Sequence, residues 1–481
     1  MNKHLRITLL WAVSALVAAT FLEQAGNAQS SGKTLPDAPR EQLIAALGQA
    51  GAMPAQPQQG STAQTPAATA TNAPQGPHLT IAQAEQMAIE HNPNISVARL
   101  LALAQAQVTR QVRSIEMPTA TGALTAVDAH DGSRITAGLL SNPSIYDRAA
   151  GGLSVSQLIT DFGRTHHLVR SAESNAKAQL ESARATQLDV TLTVDQAFYQ
   201  ALTAQAVLKV AQQTVAQRQA TVDQVGALTK SKIRSDLDLS FANVQQSQAN
   251  LLLLDAQNSE EAAMAALNNV LGSDQDQQYV LVDETNSSPA PAPDDPEAMV
   301  QAAFTARPDL ASLNDKYLSA KQYATAERDL WLPTVSALGA VGGTPVRADQ
   351  IPSSWYGTAG ANVSIPLFNG FLYNADAREA RYREEAAQED MRNLRDVIAR
   401  DVRTAVLNAK TAYQRIAVTQ QLLDQSNLAL DLATARYKIG LSGIVDMTEA
   451  QLNQTQAEIA NTNARYSYQT ALAEVRYEIG Q

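Results

Sequence analysis

Apolar positions along the chain change their period several times, and those changes mark the elements. From Val402 they advance by alternating steps of four and three: Val402, Val406, Ala409, Tyr413, Ile416, Gln420, Leu423, Asn427, Leu430, Thr434, Tyr437. The mean step of 3.5 is that of a left-handed coiled coil. Shifted back by 208, the register passes through Val194, Phe198, Ala201, Gln205, Leu208, Gln212, Val215, Gln219 and Val222. Each seam lies in a 68-residue stretch without proline, 163–230 and 371–438, enough for a helix about 100 Å long. Polar residues at Gln212, Gln219, Gln420 and Asn427 either set register at some cost in stability or mark a seam partly open to water.

Proline and small residues punctuate the remainder. Thr80 is placed to cap a helix over Ile81, Ala84 and Ala88 that ends near Asn92, because its hydroxyl can accept from first-turn N–H groups. Pro93 and Pro308 each open a second helix, running to Pro118 and Pro333, since a first turn needs no N–H there. Strand and turn character follows over Thr119–His130, Ala150–Asp161, Thr334–Thr344 and Tyr356–Leu367. Each is near the roughly 9–11 residues of a tilted membrane strand, although few large apolar residues alternate in them. Return helices over about 236–271 and 446–479 follow the turns that end the long helices.

The plan occurs twice. Asn92-Pro93 with Pro118 and Arg307-Pro308 with Pro333 are offset by 215; Leu237-Asp238-Leu239 and Val445-Asp446-Met447 are offset by 208. The expected organisation is one repeat over 78–282, a Pro/Ser/Asp-rich linker over 283–296 and a second repeat over 297–481. Ahead of it, Lys3, His4 and Arg6 precede an apolar run from Ile7 to Leu22, with small residues Gly26 and Ala28 after it. That reads as a signal peptide over 1–28. Residues 29–77 hold seven prolines and eleven alanines and no aromatic side chain, a composition that cannot offset its ordering entropy.

Four strands decide the next step. Lipid cannot satisfy a sheet edge, so membrane strands must close into a barrel, and the smallest bacterial barrels have about eight strands. One chain cannot close alone, so copies must share a barrel. Aromatic residues near the strand ends fit interface girdles: Phe162, Trp331, Phe368, Phe371 and Tyr373 at one rim, Tyr146, Trp355 and Tyr356 at the other.

Composition then removes alternatives. No cysteine is present and the net charge is −11, which excludes disulfides and thiolate chemistry and gives no basic surface for nucleic acid. Asp161-Phe162-Gly163 spells a kinase metal motif without its companion elements. His166 and His167 are adjacent and diverge on a helix, so they do not chelate one metal. No catalytic site, cofactor site or metal site is expected.

The chain resembles the TolC-type outer membrane efflux proteins over residues 79–481. The resemblance rests on Leu79-Thr80-Ile81-Ala82-Gln83-Ala84 with Asn92-Pro93, on Ser364-Ile-Pro-Leu-Phe-Asn-Gly370, and on Ala435-Arg-Tyr-Lys-Ile-Gly440 leading to Asp446-Met-Thr-Glu-Ala-Gln451. It implies a mainly α fold with a small membrane β part: a homotrimer with a shared twelve-stranded barrel in outer membrane lipid, continued by a periplasmic helical barrel. It also implies an exit duct for an inner-membrane pump or ABC transporter, joined through a periplasmic adaptor. A pore-less periplasmic adaptor or scaffold is the alternative, but two full repeats without a lipoyl-like β domain favour the channel.

By the same resemblance, Asp446 and Glu449 match inward-facing carboxylates near the periplasmic entrance. Three copies would form an acidic ring that favours cations and raises the pKa of some of its members. Tyr437 and Asp238 match residues that latch the closed tip. Ser442 stands where a described relative carries an arginine, so the latch cation is missing there, and Lys230, Lys232 or Arg234 is the available substitute. A helix N-cap role for Asp446 is compatible with facing the lumen.

Overall fold

A computed structural model describes residues 77–127, 136–137, 140–141, 148–273, 277–283, 291, 295–346 and 353–481. The expected signal peptide, almost all of segment 29–77, and the rim residue Tyr146 lie outside these described residues.

A two-residue strand β1 (His78–Leu79) leads into α1 (Ile81–His91) and α2 (Pro93–Arg113). Thr80 and Gln83 form a reciprocal capping box on α1. Asn92 caps α2 and its amide donates to the Val270 carbonyl at 2.8 Å. Then come β2 (Thr119–Val127), the two-residue β3 (Thr136–Ala137) and β4 (Leu140–Ser141), β5 (Arg148–Thr160), and the helices α3 (Arg164–Lys230) and α4 (Asp236–Leu271). After β6 (Val280–Leu281), which pairs in parallel with β1, the order resumes. It runs α5 (Pro296–Ala306), α6 (Pro308–Arg328), β7 (Thr334–Val346), β8 (Trp355–Ser364), α7 (Leu372–Lys438) and α8 (Ile444–Glu478).

Element lengths recur: α2 and α6 have 21 residues each, and α3 and α7 have 67 each. Helix α5 opens at Pro296, within the stretch read as linker, because Asp295 Oδ1 accepts from the backbone N–H of Glu297 and Ala298 at 3.0 and 3.1 Å.

Strands β2, β5, β7 and β8 form one antiparallel sheet in that order, leaving β2 and β8 as edges. Along its length α3 packs first against α2 and α6, and lower down against α4 and α8. The largest core lies where α1, α3, α4 and β6 meet, around Val194, Phe198, Leu267, Leu271 and Tyr279. Smaller clusters gather around Val300, Leu310 and Ile398 and around Val406 and Val475, and along α4 the contacts are made by small side chains. Ala242, Ala249, Ala256 and Ala263 recur every seven residues on α4 and are all buried. Gly272 ends α4 with φ +73° beside the His91 carbonyl, where a Cβ would approach to 2.7 Å. No helix among the described residues is long and apolar enough to cross a membrane.

The seams keep the expected register at Val194, Phe198, Ala201, Val402, Val406, Ala409 and Tyr437, all buried, but differ from it by one residue at the polar positions. On α7 the buried polar positions are Thr419 and Ser426, while Gln420 and Asn427 are exposed. On α3, Ala211, Thr214 and Arg218 are buried, while Gln212 and Gln219 face outward. Small side chains take the tight positions because facing helices approach closely there, as the α4 alanines do. A second 3.5-residue seam on α7, Leu407, Thr411, Gln414, Val418, Gln421, Gln425, Leu428 and Leu432, is wholly exposed. So is Leu237, Phe241, Val244, Gln248 and Leu251 on α4.

Candidate functional site: a two-faced sheet and the paired helix tips

Cross-strand register divides the sheet into two chemically distinct faces, since directly paired residues share a face. One row joins Thr121, Ser154, Ala340 and Thr358, and the next on that face joins Thr119, Ser156, Leu338 and Gly360. With Ser336, Asn362 and Ser364 this face is largely hydroxyl and amide; Leu158 and Leu338 are its large apolar members. The other face carries Leu124, Leu153, Val155, Val335, Val341, Val363 and Trp355, and Leu124 is 92% exposed. Ten residues of β8 advance about 33 Å along the strand, and about 25 Å once tilted, the height of an outer-membrane apolar band.

Aromatic placement follows the same division. Trp355 joins the apolar face. Tyr356, expected beside it in the rim, is on the opposite face because successive side chains alternate. There its ring covers Gly152 and Gly342, where added Cβ atoms would meet it at 2.3 and 2.5 Å. At the helix end, Trp331 meets Tyr373 and Phe368 meets Phe371, each pair edge to face at 5.6 Å. Asp161 secures the turn into α3. Its carboxylate accepts from the Thr165 N–H at 2.7 Å and the Gly163 N–H at 3.2 Å, so the Asp-Phe-Gly sequence forms the strand-to-helix turn.

At the far end, the two helix turns close on one cluster. Tyr437, 2% exposed, packs with Val225, Ala242, Ile444 and Met447. Arg234, from the turn between α3 and α4, donates from Nη2 to the Tyr437 carbonyl at 2.6 Å and sets its guanidinium 4.2 Å from the ring centroid. Burial raises the Tyr437 hydroxyl pKa; the Arg234 charge opposes that and the Asp238 charge adds to it. Ser235 caps α4, its Oγ accepting from the Asp238 N–H at 3.2 Å. Asp446 and Glu449 are exposed on the first turns of α8.

The family model for outer membrane efflux proteins matches residues 84–273 and 299–481. This chain belongs to the outer membrane efflux protein family. Among its relatives, TolC of Salmonella enteritidis is 26% identical over 34% of this chain, a match that spans 35% of TolC itself, about a third of its length. The alkaline protease secretion protein AprF of Pseudomonas aeruginosa is 22% identical over 70% of both chains. In fold, the chain resembles the CmeC outer membrane channel of Campylobacter jejuni, with a TM-score of 0.72 at 19% identity, covering 83% of this chain and 85% of that one. The efflux family is one of transport channels, not of enzymes.

Within this efflux protein the expected tip residues are placed as follows. Tyr437 lies in the cluster and Asp238 outside it, close enough for its charge to act on the Tyr437 hydroxyl, but that hydroxyl is buried without a hydrogen-bond partner, so no hydrogen bond joins the two. Arg234 is the cation that meets Tyr437. Lys230 and Lys232 are exposed. Asp446 is not the N-cap: Gly443 holds that place and Asp446 is third in the helix. Helix α8 starts two residues early because Ile444, 3% exposed, is drawn into the cluster. The carboxylate still benefits from the N-terminal dipole. His167 Nδ1 pairs with Gln322 Oε1 at 2.9 Å, and among the described residues no His/Asp/Glu group is arranged to hold a metal.

A second polar centre, not legible in the sequence, joins α1, α3 and α8. Asp195 is 4% exposed. Its Oδ2 lies 3.4 Å from Arg476 Nη2, its Oδ1 has no donor, and the Glu85 carboxyl is within hydrogen-bond reach. Burial first, and then Glu85, push the Asp195 pKa up to about 7, against the pull of Arg476. Nearby, Tyr477 donates to Asp189 at 2.6 Å, and Arg307 bridges Asp309 and Glu478 at 2.7 and 2.5 Å.

Proposed function

We propose that three copies of this chain share a twelve-stranded outer-membrane barrel, continued by a periplasmic helical tunnel, that serves as the exit duct of a tripartite efflux pump or a type I secretion system. The observation that carries this reading is the sheet with two open edges, one face apolar and the other hydroxyl-rich. The apolar face of Leu124, Val341, Val363 and Trp355 meets lipid, and the Thr/Ser face lines water. The open edges β2 and β8 pair between copies, as lipid requires of any spanning sheet. The exposed seams of α4 and α7 continue that contact down the helices. An adaptor and an inner-membrane pump or ABC transporter engage the tips, and substrate choice rests with the pump.

The gate lies at those tips. Asp446 and Glu449 form the acidic ring, and the Arg234–Tyr437 contact holds the two repeats together in place of the missing arginine at Ser442. Opening separates the α7–α8 tip from the α3–α4 tip. Native mass spectrometry of the mature protein, extracted from outer membranes in mild detergent, tests the assembly. A trimer is expected. A monomer or dimer in several detergents would overturn the shared barrel and restore the pore-less scaffold.

A further inference from the structure

Arg218 is buried inside its own chain without a counter-ion. It lies on α3, is 3% exposed, and its guanidinium donates from Nη1 to Gln451 Oε1 on α8. Gln451 in turn donates from Nε2 to Thr221 Oγ1 at 3.3 Å. Among the described residues Arg218 makes no ion pair; its hydrogen-bond acceptor is a neutral amide. Desolvation lowers the guanidinium pKa to about 10, so at neutral pH it remains a cation. A buried charge is costly unless paired. Because Arg218 is covered by α3 and α8 of one chain, neither a neighbouring copy nor an ion in the duct can neutralise it while those helices stay together.

Its position gives that cost a direction. Arg218 precedes the end of α3 by twelve residues, about 18 Å, and Gln451 is two turns into α8. These are the surfaces that part when the tips separate, so this inference rests on the gate reading above. We propose that Arg218 is an opening spring: its unpaired charge destabilises the closed tip and is relieved by water once α8 moves away from α3. Two arginines of the first repeat then act in opposite senses. Arg234, half-buried against Tyr437, holds the tip shut; Arg218 drives it open.

The test is the open probability of the full mature protein in planar bilayers. Gln451→Glu supplies the missing anion and should lower open probability about tenfold, the effect of one unit of restored pKa. The double variant Arg218→Met/Gln451→Leu replaces the pair with apolar side chains of similar size and should lower it in the same direction. Arg234→Ala should raise it. If Arg234→Ala raises opening while both Arg218-site variants leave it unchanged or raise it, the spring is refuted and the gate stands. If none of the three changes opening, the gate reading fails and the spring with it. Gln451→Glu keeps Arg218 in place, so failure of the double variant to fold would not remove the test.

Discussion

Replacing Asp195 by Asn should abolish a pH dependence at the junction of α1, α3 and α8. The charged groups facing Asp195 are Glu85 from α1 and Arg476 from α8. Burial first, and then the Glu85 carboxyl beside it, raise the Asp195 pKa from 3.8 to about 7, and a proton shared between the two carboxyls satisfies the buried oxygen that lacks a donor. When α1 lifts away, Asp195 meets water and returns to an ordinary carboxylate. The closed junction therefore holds a proton that the opened one releases, and junction stability falls as pH rises from about 4 to about 7.

Between pH 5.5 and 8 the two pKa values give a loss of about 2 kcal/mol, roughly thirtyfold in an opening constant. Amide exchange over Ile81–His91, corrected for intrinsic rates and measured on the intact assembly, reads that constant. Wild type should lose protection on going to pH 8, and Asp195→Asn should show a flat profile with greater protection than wild type at the alkaline end. The same slope in both proteins would refute the shared proton.

Other consequences follow from the same geometry. Tyr437→Phe removes a buried hydroxyl with no partner and should change thermal stability by less than about 0.5 kcal/mol or raise it, whereas Arg234→Ala should cost about 1 kcal/mol through the lost ring contact; melting temperatures in detergent compare them. Asp446→Ala with Glu449→Ala should raise conductance and reduce cation preference, and unchanged ion selectivity would remove both from the gate. Ala249→Leu should destabilise by about 1–3 kcal/mol through overpacking, because Ala249 is 4% exposed against α3; an unchanged melting temperature would show that the alanine repeat is not a close contact.

Much of the fold was legible because backbone chemistry announced it. Pro93 and Pro308 open their helices, Thr80 caps its own, and proline-free stretches of 68 residues became single helices of 67. The faces of the sheet were less legible. Gly122, Gly339 and Ala359 sit on the apolar face, so reading along any one strand shows a faint alternation. Register is what concentrates it: Leu124, Leu153 and Val341 come from three strands and share a surface that no single strand reveals. Arg218 and Asp195 gave no local signal, since each lies in a helical stretch where charge ordinarily faces water. Only the packing of α1 and α8 on α3 shows that these two are covered.

The seam error has a physical cause of the same kind. A helix that packs on both sides carries two 3.5-residue stripes, and periodicity records their sum. On α7 the internal stripe runs through Val402, Val406, Ala409, Thr419, Ser426 and Tyr437, and the exposed one through Leu407, Val418, Leu428 and Leu432. Tyr413, Gln420, Asn427 and Thr434 lie between them, so a reading that follows one phase drifts onto the shoulder. The composition of the stripes separates their roles. The internal one is rich in Ala, Ser, Thr and Val, which lets backbones approach with little apolar burial, while the exposed one keeps the larger Leu and Val side chains. Leu407, Val418, Leu428 and Leu432 thus leave apolar area uncovered in the single chain, and burying such area is worth ~25 cal/mol per Å². In the sheet likewise, β5 and β7 pair with each other and leave the edges β2 and β8 without a second neighbour among the described residues.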